Sequence, residues 1–138
     1  LIPMVFRALA DGERPRIFGD DYPTPDGTCI RDYIHVADLA EAHVVAAAHC
    51  ESGTVADVLN VGRGVGSSVR EVMDVVAEVL GRPIDPQVVG RRAGDPPAST
   101  ADTARIADLL DWRARYDLRD MVQSAWSAWQ AYPPSAGR

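Results

Sequence analysis

The segment from Gly19 to His43 constrains the fold of this chain more than any other stretch. Its first part, Gly19 to Gly27, is rich in Pro, Gly and Asp, which break strands and favour turns, so it predicts a surface loop. The alternating residues Thr28 to Ile34 predict a strand, and the Ala-rich stretch Val36 to Cys50 predicts a helix. A loop, a strand and a helix in close succession indicate an α/β protein.

Short strands alternate with helices along the rest of the chain. The helix ends carry capping residues, because Ser68 and Glu71 match a capping box, Gly81 a helix stop, and Asp102 and Asp117 further caps. The predicted helices are Leu1 to Asp11, Ser68 to Leu80, Asp102 to Leu110 and Leu118 to Tyr132. The predicted strands are Arg16 to Phe18, Val58 to Val61 and Ile84 to Val89, and a polar loop is expected over Gly90 to Thr100. The helix from Val36 is expected to pack through one stripe made of Leu39, Ala40, His43, Val44, Ala47 and Ala48.

The composition excludes several classes of partner. The chain has 138 residues, which suit one domain over residues 1–132, and Pro133-Pro134 predicts a flexible tail over 133–138. A net charge of −6 argues against non-specific nucleic-acid binding, which needs a basic face. No apolar run reaches the ~20 residues that cross a bilayer, and the first ten residues carry no signal-peptide pattern. We therefore expect no membrane association, a cytoplasmic location and two reduced thiols, Cys29 and Cys50.

A Gly-rich turn, Val61-Gly-Arg-Gly-Val-Gly66, lies between a predicted strand and a predicted helix, which is the context of a dinucleotide-binding loop. Its spacing is Gly-x-Gly-x-Gly and lacks the extra residue of the dinucleotide fingerprint, and Asp85, the acid about 20 residues on, precedes a Pro in a turn. We therefore interpret it as a tight turn between strand and helix and predict no cofactor-binding residue in this chain.

No catalytic constellation is present. All fourteen basic residues are Arg, so there is no Lys for a Schiff base or a phosphate loop, and no nucleophile elbow or zinc-protease motif occurs. His35, His43 and His49 have spacings that place no two on one helical face, so we predict structural roles and no metal site. Asp32 is expected to pair with Arg31, and Asp38 to complement a helix dipole.

Two segments resemble one family. The Gly19–His43 segment, with Thr-x-x-Arg-Asp-Tyr-Ile-His-Val at its centre, and Arg91-Arg-Ala-Gly-Asp-Pro-Pro-Ala98 are similar to the UDP-galactose (UDP-glucose) 4-epimerases of the extended short-chain dehydrogenase group. The likeness runs from Leu1 to about Pro133 and corresponds to the last two-fifths of such an enzyme. It implies an α/β fold in which the chain forms the small C-terminal substrate-binding lobe, with no complete Rossmann domain.

The resemblance implies a site for a UDP-sugar. Arg31 and Arg92 match the phosphate-binding arginines, and guanidinium groups suit a pyrophosphate because they give paired, charge-assisted hydrogen bonds. Arg91, next to Arg92, is expected to face solvent. The strand Arg16, Ile17 and Phe18 matches the one that holds the uracil, although Phe18 equally fits a core position.

Three further positions complete the implied site. Val69 aligns with a residue of the uracil pocket. Asp95 resembles the carboxylate that meets the ribose hydroxyls, the alternative being an Asp that stabilises the turn before Pro96. Ser99 stands where a bulky or a small residue guards the sugar pocket, and a small one leads to the hypothesis that N-acetylated UDP-sugars are also accepted.

The family's reaction interconverts UDP-glucose and UDP-galactose with NAD. The resemblance implies that NAD and the catalytic Tyr-x-x-x-Lys pair belong to the full-length enzyme, so this chain alone is expected to be inactive. We also expect self-association through the surface that the NAD-binding half would cover. Three alternatives stay open: a free-standing UDP-sugar-binding module, a fragment that binds nothing, and the equivalent lobe of another nucleotide-sugar epimerase or dehydratase.

Overall fold

The structure is a computed structural model that describes residues 1–51, 53 and 58–133. Within those residues the α/β class is confirmed, with short strands between helices. The helices are α1 (Ile2–Ala10), α2 (Val36–Glu51), α3 (Val69–Leu80), α4 (Ala104–Leu110) and α5 (Leu118–Ala131). The strands are β1 (Arg16–Phe18), β2 (Ile30–Asp32), β3 (Gly66–Ser68), β4 (Gln87–Val89) and β5 (Ala98–Ser99).

The described strands form two small sheets. β1 pairs in parallel with β4, and β2 lies at the centre of the second sheet, antiparallel to β3 and parallel to β5. Arg31 in β2 therefore stands opposite Ser67 on one side and Ser99 on the other. Phe18 at the end of β1 and Arg31 in the middle of β2 line the same cavity as residues of α1 and Val69 at the start of α3.

A first core joins α1, α3 and α5. Val72, Val76 and Val122 are fully buried, and Phe6 packs its ring 5.1 Å from that of Trp126. The ring of Trp129 lies 5.9 Å from Phe6 on the next turn of α5. The core therefore fixes α1 against α5 through aromatic contacts.

A second core lies under α2 and α4, around Ala42, Ile106 and Trp112. Asp38, one turn before Ala42, is fully buried, and its Oδ2 accepts hydrogen bonds from the backbone N–H groups of Arg115 and Tyr116 at 3.2 and 3.1 Å. The carboxylate thus ties α2 to the connection before α5. It does more than complement a helix dipole, because it supplies the acceptor for two backbone donors.

The capping predictions are confirmed where they rest on local pattern. Ser68 and Glu71 form a capping box at the start of α3, and Gly81 ends that helix with a left-handed φ of 65°. Asp117 forms a second capping box at α5. Asp102 accepts from the N–H of Ala104, but α4 begins at Ala104 and its N-cap is Thr103, one residue after the predicted cap Asp102.

The predicted stripe of α2 was wrong. Ala40, His43, Val44, Ala47 and Ala48 are exposed, and Leu39 is half-buried. The helix packs through Asp38, Ala42, Val45 and Ala46. Ala and Val occur on both faces of α2, so the apolar pattern does not show which face is buried. The hydrogen bonds of Asp38 orient the helix instead.

The prediction that the chain self-associates stays untested.

The predicted strand Arg16 to Phe18 is confirmed as β1, two other predicted strands were too long, and one was wrong. The strand expected over Thr28 to Ile34 is only β2, and that over Ile84 to Val89 is only β4. The loop Gly90 to Thr100 contains β5, which periodicity did not predict. Val58 to Val61 is not a strand, and Val58 is 82% exposed, although Leu59 and Val61 pack on the second core. Of the predicted tail over 133–138, only residue 133 lies within the described residues.

None of the helices in the described part of the chain combines the length and the apolarity that crossing a membrane requires.

Candidate functional site

One cleft of about 510 Å³ opens between α1, β1 and the first turn of α3. Its apolar wall comes from Met4, Val5 and Ala8 on α1, together with Phe18 and Val69. Its polar rim carries four Arg and two acidic residues, namely Arg14, Arg16, Arg31, Arg92, Glu13 and Asp95. An apolar interior with a cationic rim suits a ligand that has one apolar face and one anionic end.

Asp95 lies between two of these arginines. Arg92 Nε is 3.0 Å from Asp95 Oδ2, and Arg31 Nη2 is 3.6 Å from Asp95 Oδ1. Arg31 also donates through Nη1 to the carbonyl oxygen of Ile30 at 2.8 Å. The side chains of Arg31 and Asp95 are 28% and 25% exposed, whereas Arg92 is 64% exposed. The two guanidinium groups are thus held side by side at one end of the cleft.

Two aromatic residues of the cleft, Phe18 and Tyr33, lie near these arginines. The guanidinium carbon of Arg92 lies 4.6 Å from the centre of the Phe18 ring, a cation–π contact. Tyr33 is half-buried nearby, and burial raises the pKa of its phenol despite the opposing charge of Arg31. The Tyr33 hydroxyl therefore stays protonated at neutral pH and remains a hydrogen-bond donor.

Arg16 also lies on the rim. It is exposed and has no ion-pair partner within the residues that the structure describes. Arg14, by contrast, is bound to Asp85 at 3.0 Å. Arg16 therefore keeps its full donor capacity toward a ligand in the cleft.

Six of the eight predicted site residues line the cleft, namely Arg16, Phe18, Arg31, Val69, Arg92 and Asp95. The side chain of Ile17 is 1% exposed and belongs to the first core, so it does not line the cleft. Ser99 is exposed on β5, opposite Arg31, and does not line the cleft. Sequence reasoning did not select Cys29 or Met4, which also line the cleft. Cys29 lies two residues before the predicted site residue Arg31, whereas Met4 lies far along the chain from all of them and gave no such signal.

The loop Gly19–Gly27 contacts Arg91, the residue that precedes Arg92 of the cleft. Arg91 is ion-paired with Asp21, 2.6 Å from Nε to Oδ1, and its guanidinium lies 4.1 Å from the centre of the Tyr22 ring. The side-chain hydrogen bond from Arg91 lowers the pKa of Asp21. Arg91 is exposed, as predicted, with 42% of its side chain accessible, and these contacts also fasten the loop.

The Gly-rich turn Val61–Gly66 has two of its N–H donors bound within the protein. Asp32 accepts from the N–H groups of Arg63 at 3.0 Å and Gly64 at 2.9 Å, and from that of Ala101 at 3.2 Å. A Cβ on Gly62 would stand 2.6 Å from the same carboxylate, so Gly62 allows this close approach. The predicted ion pair of Asp32 with Arg31 was wrong, since Asp32 binds the turn instead.

The three His residues make local hydrogen bonds. His35 accepts from the N–H of Ala37 through Nδ1, which leaves Nε2–H to donate to Ser124 Oγ at 2.8 Å. His43 and His49 each bond a carbonyl one turn earlier in α2. Within residues 1–51, 53 and 58–133, no group of three or more His, Cys, Asp or Glu could hold a metal ion. Cys29 and Cys50 are not joined by a disulfide bond.

Comparison with known proteins adds an independent line of evidence. Residues 1–62 match the model of the NAD dependent epimerase/dehydratase family. The chain is 46% identical over 141 aligned positions to a UDP-glucose 4-epimerase of Azospirillum brasilense, an alignment that covers 100% of the chain and 40% of the relative.

Solved structures agree with this match. A UDP-glucose-4-epimerase from Stenotrophomonas maltophila, with bound NAD and formylated UDP-arabinopyranose, superposes with a TM-score of 0.92 at 39% identity. That alignment covers 99% of this chain and 41% of the other. The UDP-Glc/GlcNAc 4-epimerase from Campylobacter jejuni superposes with a TM-score of 0.81 at 40% identity, covering 95% of this chain and 40% of that one.

In sequence and in fold the chain is similar to NAD-dependent epimerases and dehydratases, and its short strands and helices match part of that fold. More particularly, it is homologous along nearly its whole length to a segment of the UDP-glucose 4-epimerases. The chain spans about 40% of the length of the curated relatives that it matches.

Proposed function

We propose that this chain binds the uridine diphosphate portion of a UDP-sugar and that it does so as the substrate-binding part of a UDP-glucose 4-epimerase. The observation that carries the proposal is the pair Arg31 and Arg92, which converge on Asp95 at one end of a cleft whose interior is apolar. The bound UDP-sugar derivative in the Stenotrophomonas relative supports the same ligand class.

The chemistry of the cleft suits this ligand. A diphosphate presents several anionic oxygens, and Arg31, Arg92 and Arg16 offer forked guanidinium donors on the rim. The planar base fits against Phe18 and Val69, which leave an apolar face inside. The volume of about 510 Å³ lies within the range of small-molecule sites and accommodates a nucleoside diphosphate.

In the whole enzyme, the chain would hold the nucleotide while the sugar reacts. NAD, when bound, supplies reversible hydride transfer, and we propose that residues outside this chain hold it, because the Gly-rich turn lacks the dinucleotide spacing and has two of its N–H donors bound to Asp32. The residues of the cleft anchor the nucleotide through groups distant from the sugar carbon that changes configuration. An anchor of this kind lets the sugar turn while the substrate stays bound.

The sugar range is part of the proposal. Ser99 is small and exposed, and it lies next to Arg31 in the sheet. A small residue near the end of the diphosphate leaves room for an N-acetyl group, and the Campylobacter relative acts on both UDP-Glc and UDP-GlcNAc. The full-length enzyme is expected to turn over UDP-N-acetylglucosamine, and no measurable turnover would refute this part.

Calorimetric titration with UDP and with UDP-glucose tests the binding proposal. Binding in the micromolar-to-millimolar range is expected, and Arg31→Ala and Arg92→Ala should each weaken it by about tenfold, since each removes a charge-assisted contact. Arg119→Ala is the matched control, because Arg119 is ion-paired with Glu78 on the surface and does not line the cleft. Wild-type protein that binds neither ligand, or equal affinity in all four proteins, contradicts the proposal.

A further inference from the structure

Asp26 lies near the end of the loop Gly19–Gly27 and connects this loop to Ser68 at the start of α3. Its Oδ1 accepts from both the N–H and the hydroxyl of Thr28, each at 2.8 Å, and its Oδ2 accepts a short hydrogen bond from the hydroxyl of Ser68. Thr28 is fully buried and Ser68 is 5% exposed. The carboxylate therefore connects two buried hydroxyl groups from distant parts of the chain.

These two hydroxyl residues precede residues that line the cleft. Thr28 is followed by Cys29 and Ser68 by Val69, both in the wall of the cleft. The N–H of Val69 donates to the carbonyl oxygen of Cys29 at 3.1 Å, so a backbone hydrogen bond also joins the two segments, one residue after each partner of Asp26. Any displacement of the Asp26 contacts would be passed to this wall.

The charged groups around Asp26 favour its ionised form. Arg70 donates through Nε to the carbonyl oxygen of Asp26 at 3.4 Å and lies 3.8 Å from Asp20. Glu71, also in the first turn of α3, is occupied by the N–H of Ser68. Burial acts to raise the pKa of Asp26, but hydrogen bonds from Ser68 and Thr28 and the charge of Arg70 outweigh it, so the pKa lies below its usual value.

We propose that Asp26 is a positioning residue for the nucleotide cleft: its carboxylate holds Thr28 and Ser68 so that Cys29 and Val69 form the wall against which the base of the ligand lies. The ligand part of this inference rests on the proposed function. The positioning part concerns the wall itself and has consequences in the protein without nucleotide.

The first test separates affinity from stability. Asp26→Ala and Asp117→Ala each remove a carboxylate that accepts hydrogen bonds at the start of a helix, but Asp117 lies at α5 and does not line the cleft. Both variants are expected to melt at lower temperature. At a temperature where each is folded by circular dichroism, Asp26→Ala should bind UDP about tenfold more weakly than wild type, with Asp117→Ala unchanged. Equal dissociation constants for both variants overturn the proposal.

Conservative variants show which group matters, even where Asp26→Ala fails to fold. Thr28→Ser keeps the hydroxyl that donates to Asp26 and should retain wild-type UDP affinity. Thr28→Val keeps the shape of the side chain but loses that hydroxyl, and it should weaken binding several-fold. Equal binding by the Ser and Val variants contradicts a role for the Asp26 contacts.

A third measurement needs no ligand. Cys29 is buried at 6% exposure in the cleft wall, while Cys50 is exposed and serves as an internal reference. Labelling with a maleimide, followed by mass spectrometry, should modify Cys29 at least fivefold faster in folded Asp26→Ala than in Asp117→Ala. If wild type binds no UDP, the proposed function fails, and this labelling ratio alone decides the positioning role: faster labelling of Cys29 supports it, and equal rates refute it.

Discussion

Replacing Asp32 by Ala should destabilise this chain strongly, because its carboxylate joins three segments through hydrogen bonds. Asp32 accepts three backbone N–H groups, from Arg63, Gly64 and Ala101, and so joins β2 to the Gly-rich turn and to the segment after β5. Because these donors are 31, 32 and 69 residues away along the chain, the carboxylate stabilises long-range structure.

The size of the effect follows from the exposure of the three donors. A hydrogen bond to a charged acceptor contributes about 1.5–3 kcal/mol net to the free energy of unfolding. This contribution is lost when the acceptor is removed and water does not replace it. The bond from Gly64 is exposed, so water replaces it, whereas those from Arg63 and Ala101 are partly buried. Counting two bonds at the lower end gives a loss of about 3 kcal/mol in the free energy of unfolding, a large part of the ~5–15 kcal/mol typical of a domain.

Urea denaturation followed by tryptophan fluorescence measures this loss, because Trp112 is buried in the native state. Asp32→Asn, which retains one acceptor oxygen, should lie between Asp32→Ala and wild type. Asp74→Ala, on the exposed side of α3, is the control and should stay within about 0.5 kcal/mol of wild type. A loss below about 0.5 kcal/mol for Asp32→Ala would refute the reasoning that the turn depends on this carboxylate.

Further predictions concern packing and pH. Gly27→Ala should cost about 2 kcal/mol or more, because φ is +81° and a Cβ would stand 1.9 Å from the carbonyl oxygen of Asp20; a thermal melt equal to that of wild type would contradict it. Phe6→Ala should cost about 3–5 kcal/mol by leaving a cavity between α1 and α5, measured by denaturant titration, and a loss under 1 kcal/mol would argue against the aromatic core. The N–H of Asp120 lowers the pKa of Asp117 in the folded state, so the stability that Asp117 contributes is complete at neutral pH and is lost as pH falls below about 4. Asp117→Asn should reduce the difference in stability between pH 7 and pH 3, and an unchanged difference would exclude this carboxylate as a source.

Local patterns predicted the parts of the fold that local contacts build. The capping box of Ser68 and Glu71 needs only a first turn of helix, and the structure contains it. The strand expected over Val58 to Val61 failed because strand formation needs a neighbouring partner, which apolar composition cannot supply. The same limit hid β5, whose two residues are strand only because β2 lies beside them.

The candidate site was predictable to the extent that a motif specifies it. Arg31 and Arg92, which are 61 residues apart along the chain, were selected from two separate segments, and the structure places both beside Asp95. The roles of Asp26 and Asp32 were not predicted, because their partners Ser68 and Ala101 lie 42 and 69 residues away. An Asp in a turn-rich segment has many local acceptor roles, and sequence spacing does not distinguish them from a long-range contact.

The contact of Asp95 with two arginines gives the cleft a resident counter-ion. Arg side chains lose substantial rotamer entropy when they are ordered, and here a carboxylate orders Arg31 before any ligand arrives. An incoming anion would then replace the Asp95 carboxylate as the partner of Arg31. The rotamer entropy of Arg31 would already be lost when the protein folds, so binding would not reduce it further. Truncating Asp95 should therefore have two opposing effects on affinity for anions, a stronger field from two uncompensated cations and a larger entropic loss as they are ordered.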